Sequence, residues 1–556
     1  MSTLIGIECL DCGHRAAYDP RQVECPACGG TWREARYDLK AARQALLSPP
    51  DGPPGGLWRY RALLPVREIP PGLPMGEGGS PLLPAYNLGL MLGLSRLFIK
   101  DERRGPTGSF KDRQASVTVA ALREAGITEA VVASTGNVAL AYAAFCARVG
   151  IQLWAFLTSL VPGAKMQEVA VYGTQVIKVT STYDQAKKLA STFARERGYY
   201  FDRGPMSVAS LESMKTLSFE IAEQLAPALG IEAPMAAPDW YVQAVSGGVG
   251  PLGVLKGFRE LYEMGLIDRV PSIAVIQAEG CSPMVRAWRA GLRAAEPLVS
   301  PTTGIFTLST GDPGRGYTML RDRIVDGASG TLTDVTDDEA YRAVRMLAEN
   351  EGLSAEPAAG VAFAGLVKLA HEGVFQPDDA VVVNCSGHAM PVEETVLGPG
   401  WYRDLSIPML SEVEARVPPE EGLLAALSSL DRRLVHDVLI VDDDEDARVL
   451  IRRILRSHGD FHLREAASGR EALAAAAEQR PDLVVLDLMM PEMDGFAVLD
   501  ALKQRKETAN VPVVVVTAKE LTPQEKRSLD GRISRLMTKG EFMGEDLLGE
   551  IGRALD

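Results

Sequence analysis

The chain has 556 residues, 46% hydrophobic and 24% charged, the balance of a globular protein too long for one core and divided into about two to four domains. Its formal net charge is −15 without a dense lysine and arginine block, which excludes a duplex-binding surface and removes nucleic acid from the expected partners. No apolar run approaches membrane-spanning length, and the N-terminal MSTLIGIECLDCG reaches a cysteine before a signal-peptide core could form, so a cytoplasmic protein with no membrane partner is expected.

The first element is a cysteine cluster. CLDCGHRAAYDPRQVECPACGG sets Cys9, Cys12, Cys25 and Cys28 as two C-x2-C knuckles with twelve residues between them. Each knuckle puts two thiolates on one side of a tight turn, and two knuckles complete a tetrahedral zinc site. Four thiolates leave no open position, so the zinc is expected to be structural. An emptied site or a redox pair is the alternative. His14 is an additional candidate ligand but is expected on the surface. Cys146, Cys281 and Cys385 stand apart and are expected as buried free thiols.

The zinc ribbon is assigned to residues 1–40, and a linker containing SPPDGPPGG to 41–57. Residues 58–396 alternate β-branched runs with Ala/Leu-rich helical runs, which predicts an α/β domain with a largely parallel sheet, long enough for two lobes. Residues 397–435 break the alternation and are assigned to a tail, a linker and a short amphipathic helix. From 436 to 556, five further strand–helix units predict a flavodoxin-like, doubly wound domain.

Four stretches of the large domain carry chemistry. GPTGSFKDRQAS places Lys111 in a Gly/Ser/Thr-rich turn before a helix. VSGGVGPLGVLKGF places Gly247, Gly248, Val249 and Gly250 between a strand and a helix, where bare backbone N–H groups can cradle a phosphate. ASTGNVALAYAAF offers Ser134, Thr135 and Asn137 at a second strand-to-helix turn, and VVVNCSGHAMP ends a strand with Ser386. Singly each is weak. Together, with KDERRGPTGSFKDR and EPAAGVAFAGL, they resemble the fold type II pyridoxal-phosphate enzymes, and within them the threonine synthases, from about residue 8 to 395.

The resemblance implies that Lys111 binds pyridoxal 5'-phosphate through its amine and then shuttles protons, which suits a lysine that loses charge when desolvated. Asn137 would bond the cofactor's 3-hydroxyl, the Gly247–Gly250 loop would hold its phosphate, and Ser386 would face its pyridine nitrogen. A neutral hydroxyl there favours elimination and replacement over transamination. Ser134 and Thr135 would take the substrate's α-carboxylate. The implied reaction is O-phosphohomoserine to threonine and phosphate, by a homodimer.

The substrate end departs from the family. Ser207 and Ser210 stand where an asparagine and a phosphate-clamping arginine would be, and Ser181–Asp184 reads STYD in place of Gly-Asn-Phe-Asp. Lys165 or Arg315 could supply the missing charge. Serine or threonine dehydration, cysteate or cysteine synthesis, and a non-catalytic signalling module that binds pyridoxal phosphate or an amino acid remain as alternatives.

In the C-terminal domain, LIVDDDEDARVL places Asp442 and Asp443 after a first strand, VVLDLMMPEMDG places Asp487 after a third, and Thr517 and Lys539 follow a fourth and a fifth. Parallel strands bring these groups to one edge, where carboxylates, a hydroxyl and a lysine suit a divalent cation and a phosphoryl group. The domain resembles the response-regulator receiver. That implies Asp487 as phospho-acceptor, Mg²⁺ held by Asp442, Asp443, Asp487 and the Met489 carbonyl, and Thr517 and Lys539 on the phosphoryl oxygens. A sensor histidine kinase or phosphotransfer protein is the implied partner, and the enzyme or its oligomer interface the expected target. Leu536 replaces the usual aromatic switch residue and Gly540 the usual proline, so an altered readout is expected.

Overall fold

Three antiparallel strands, β1 (Leu4–Cys9), β2 (Arg15–Ala16) and β3 (Arg33–Tyr37), form the ribbon sheet in the order β2-β1-β3. The computed structural model describes residues 2–48, 55–388, 402–406, 436–458, 461–517, 521–538, 551 and 553–554. They divide into two units, Met1–Leu427 and Ser428–Asp556.

Asp38 ends the ribbon by capping helix α1 (Leu39–Leu47), its carboxylate accepting from the Lys40 and Ala41 N–H groups at 3.0 Å. Residues 41–47, expected in a linker, therefore form a helix that buries Ala42 and Leu46. The proline and glycine run after them drew the boundary too early.

The α/β block follows in chain order: β4 (Leu82–Pro84), α2 (Tyr86–Leu92), β5 (Arg96–Asp101), α3 (Lys111–Glu124), β6 (Glu129–Ser134), α4 (Asn137–Val149), β7 (Gln152–Thr158), α5 (Gly163–Val171), β8 (Gln175–Thr180), α6 (Tyr183–Arg197), β9 (Tyr200–Phe201) and α7 (Val208–Ala228). It continues with β10 (Trp240–Ala244), α8 (Val249–Glu263), β11 (Ser272–Ala278), α9 (Pro283–Arg289), α10 (Arg315–Asp326), β12 (Gly330–Val335), α11 (Asp337–Glu351), α12 (Pro357–His371), β13 (Ala380–Cys385) and β14 (Tyr402–Ser406). Two sheets result, ordered β12-β11-β10-β13-β5-β4 and β14-β8-β7-β6-β9. All pairings are parallel except β4 on β5.

Strand β13 is buried along its whole length, as a strand covered by helices on both faces must be. The stretch 397–435 was assigned to a tail and linker, yet Tyr402–Ser406 pairs with Val176–Thr180 and completes the smaller sheet. The amphipathic helix expected there lies outside the described residues.

In the second unit, β15 (Asp437–Val441), β16 (His462–Ala466), β17 (Leu483–Leu486), β18 (Val513–Thr517) and β19 (Arg535–Thr538) form a parallel sheet ordered β16-β15-β17-β18-β19. This is the doubly wound order expected. Apolar residues on the two sheet faces form two separate core layers.

Candidate functional site

A cavity of about 340 Å³ lies at the C-terminal ends of β6, β10 and β13, the edge at which parallel sheets gather ligands. Lys111, Ser134, Thr135, Asn137, Gly247, Val249 and Ser386 all line it. Four sequence-distant stretches thus meet in one place.

Lys111 opens α3, half-buried, with its Nζ 4.2 Å from the Phe110 ring centroid. Burial lowers its amine to about 8, against the pull of the Asp202 and Glu356 carboxylates. Next to it, burial raises the Asp112 carboxyl to about 7, although Thr107 donates to it from its backbone N–H at 3.0 Å and its hydroxyl at 2.5 Å. Behind Asp112, Arg113 is fully buried and bonds Glu102 and Glu220 at 2.7 Å, while Lys100 bonds Glu220 at 2.8 Å. This network anchors the first turn of α3.

Asn137 does not present a free amide. Its Nδ2 donates to both Glu356 oxygens, at 2.9 and 2.8 Å, and its Oδ1 accepts from Lys165 at 2.5 Å. Glu356 also accepts from Ser386 at 3.3 Å, so one carboxylate ties together two residues expected at the cofactor ring. Ser134 Oγ accepts the N–H groups of Gly136 and Ala139 at 3.0 and 3.1 Å and so shapes the turn into α4. Glu356 stood in the quoted EPAAGVAFAGL, but its role depends on Asn137, 219 residues away, as well as on Ser386.

The glycine loop offers the room that a phosphate requires. A Cβ on Gly247 would meet nothing within 4 Å. Gly248 caps α8 at φ 94°, and among the described residues no side chain caps the first N–H groups of that helix. Gly250 faces Gln243, so its missing side chain serves packing and not the cavity. A desolvated amine, an uncapped helix start and an open glycine loop together fit pyridoxal phosphate.

Ser207 and Ser210 do not reach the cavity. Ser207 accepts from the Arg203 N–H at 2.8 Å, and Ser210 is fully buried and donates to Asp202 at 2.6 Å. Lys187, Arg203 and Arg315 line the cavity, together with the carboxylates Asp202, Asp312 and Glu356. Of the two cations proposed from sequence, Arg315 is on the wall and Lys165 is held against Asn137. Lys187, one helical turn into α6 and 5.7 Å from the Tyr183 ring, and Arg203 carried no sequence signal.

In the ribbon, one Sγ from each of Cys9, Cys12, Cys25 and Cys28 lies within 4.8 Å of the others, which suits a metal ion. His14 is exposed and outside this group. Cys146, Cys281 and Cys385 are buried free thiols, as expected.

In the second unit, carboxylate oxygens of Asp442, Asp443 and Asp487 lie within 4.8 Å of one another at the ends of β15 and β17, an arrangement that could hold a divalent cation. Asp487 Oδ1 accepts from the Met489 N–H at 3.1 Å, and Met489 is exposed. Thr517 ends β18 and is buried. Leu536 packs half-buried against the domain core. Lys539 and Gly540 lie outside the described residues.

Residues 73–387 match the family described as pyridoxal-phosphate dependent enzyme, and 438–550 match the response regulator receiver domain. The threonine synthase of Methanosarcina acetivorans is 32% identical over 70% of this chain and 93% of its own, and that of Methanocaldococcus jannaschii 33% over 69% and 92%. Among solved structures, maize serine racemase aligns with TM-score 0.47 and 21% identity over 56% of this chain and 89% of that one. The chain belongs to the pyridoxal-phosphate-dependent enzymes, as a lyase homologous to threonine synthases that also carries a response-regulator receiver domain.

Proposed function

We propose that the enzyme unit converts O-phosphohomoserine and water to threonine and inorganic phosphate. The observation that carries this reading is the three cations Lys187, Arg203 and Arg315, which share one cavity with the amine of Lys111. Guanidinium and ammonium groups facing a desolvated lysine suit a substrate with an anionic leaving group.

Pyridoxal phosphate, when bound, supplies the electron sink that lets protons leave the substrate's carbon chain. Lys111 would hold it and move protons at Nζ, the Ser134–Thr135 turn would take the α-carboxylate, and the Gly247–Gly250 loop with the α8 N-terminus would take the cofactor phosphate. Ser386 would be the hydroxyl near the cofactor ring, and Glu356 fixes the Asn137 amide. Zinc in the ribbon is structural.

In the receiver, Asp442, Asp443 and Asp487 would hold Mg²⁺, which would offset phosphoryl charge, while Asp487 is the carboxylate that accepts the phosphoryl group from a histidine kinase or phosphotransfer protein, and this phosphorylation modulates the enzyme. A homodimer is the expected assembly.

Incubating the cofactor-loaded protein with O-phosphohomoserine should release equimolar phosphate and threonine. Keto-acid from threonine or serine, with none of these products, would replace the reading with a dehydratase.

A further inference from the structure

The ribbon meets the Lys111 cavity at points that its metal site alone does not require. Trp32, 8% exposed, lines the cavity, and its ring edge stands 3.9 Å from where a side chain on Gly316 would begin, in the first turn of α10. Asp11, between the ligand candidates Cys9 and Cys12, forms an ion pair with Arg315, the first residue of that helix and a cavity-lining cation.

Asp11 lies against the opposite knuckle. A Cβ on Gly30 would collide with its carboxylate and stand 3.2 Å from Cys28 Sγ, so the two knuckles close around it. Two further contacts join the ribbon to the neighbouring helices: Glu34 pairs with Arg323 of α10, and the Ala35 carbonyl accepts from Lys256 of α8 at 2.7 Å.

A guanidinium on a flexible stem loses rotamer freedom whenever it binds an anion, and a fixed carboxylate partner can remove that freedom beforehand. The Asp11 and Arg315 side chains are 36% and 37% exposed. At such exposure the pair adds little to folding stability, so its effect lies in orientation.

We propose that the ribbon is a specificity element of the enzyme. With its metal bound it presents Asp11 as a positioning residue for Arg315 and Trp32 as a wall, and so sets the affinity for the anionic end of the substrate. This rests on the reading of an anionic amino-acid substrate given above.

The test uses the full chain loaded with pyridoxal phosphate and zinc. Affinities for O-phosphohomoserine and for uncharged homoserine are read from the shift of the visible cofactor band, beside zinc content and Tm. Asp11→Asn should weaken O-phosphohomoserine on the order of tenfold, leave homoserine, zinc content, cofactor band and Tm unchanged, and be partly rescued by Asp11→Glu. Chelating the metal from the unmodified protein should cause the same selective loss while the cofactor band persists.

Because a change beside the cysteines could cost metal, Arg315→Gln serves as a distant second variant. It should show the same selectivity, and combined with Asp11→Asn it should add no further loss. Additive losses, or equal loss of both ligands, would overturn the positioning role. A wild type that prefers the phosphorylated ligand while Asp11→Asn keeps that preference sinks the ribbon's part alone. A wild type without any preference sinks the substrate reading and this inference with it.

Discussion

Lys111 shows how far a single residue can be read. A lysine at a helix start says little, and its chemistry follows from burial, which brings its amine to about 8. Because the depressed value means that the neutral, nucleophilic amine forms as pH rises through about 8 and not above 10, cofactor uptake by the apoprotein should accelerate across that midpoint and then level off. Stopped-flow absorbance would measure it, and a midpoint near the ordinary lysine value would contradict the geometry. Lys111→Ala should lose the visible cofactor band and at least about 10³-fold of turnover, since the cofactor anchor and the proton shuttle go together. Glu356→Ala leaves the Asn137 amide without its two acceptors, so turnover should fall about 10²-fold while the cofactor band is retained.

At the scale of elements, helix α3 is held by buried charge. Burial would raise the Glu220 carboxyl, but Arg113 and Lys100 pull it down to about 2. A carboxylate with a depressed value stabilises the fold above its ordinary range near 4.5, and that contribution is lost as pH falls from there through about 2. Arg113→Met leaves buried Glu102 without its cation and Glu220 with Lys100 alone, so the enzyme unit should lose about 3–5 kcal/mol of stability, read as a lowered midpoint in denaturant. Removing Glu220 together with Arg113 should cost less than the sum of the single changes, because the stranded charge goes with its partner. The same reasoning explains how α3 keeps Arg113 fully buried.

On the scale of the whole molecule, the chain combines an enzyme unit and a receiver unit, each with its own sheets and core. A small-molecule phosphodonor with Mg²⁺ should label the wild type and not Asp487→Asn, because Asp487, one of the two buried carboxylates of the acidic cluster, follows β17 as the proposed phospho-acceptor. If phosphorylation regulates the enzyme, threonine formation should change on labelling in the wild type and stay constant in Asp487→Asn. Equal rates in both would separate the two functions.

The sequence by itself determined the kinds of chemistry present. Cysteine spacing, a lysine in a Gly/Ser/Thr turn, a glycine-rich strand-to-helix turn and carboxylates after β-branched runs are local patterns, and local patterns survive without knowledge of packing. Only the tertiary structure decided what surrounds them. It placed Glu356 between Asn137 and Ser386, withdrew Ser207 and Ser210 from the cavity, brought Lys187, Arg203 and Arg315 to its wall, and set Trp32 of the ribbon beside them. It also turned residues 41–47 into a helix and Tyr402–Ser406 into a strand of the smaller sheet. The physical reason is common to all of these: charge complementarity, desolvation and strand pairing act between residues far apart in sequence, and no local period or spacing records which of them will meet.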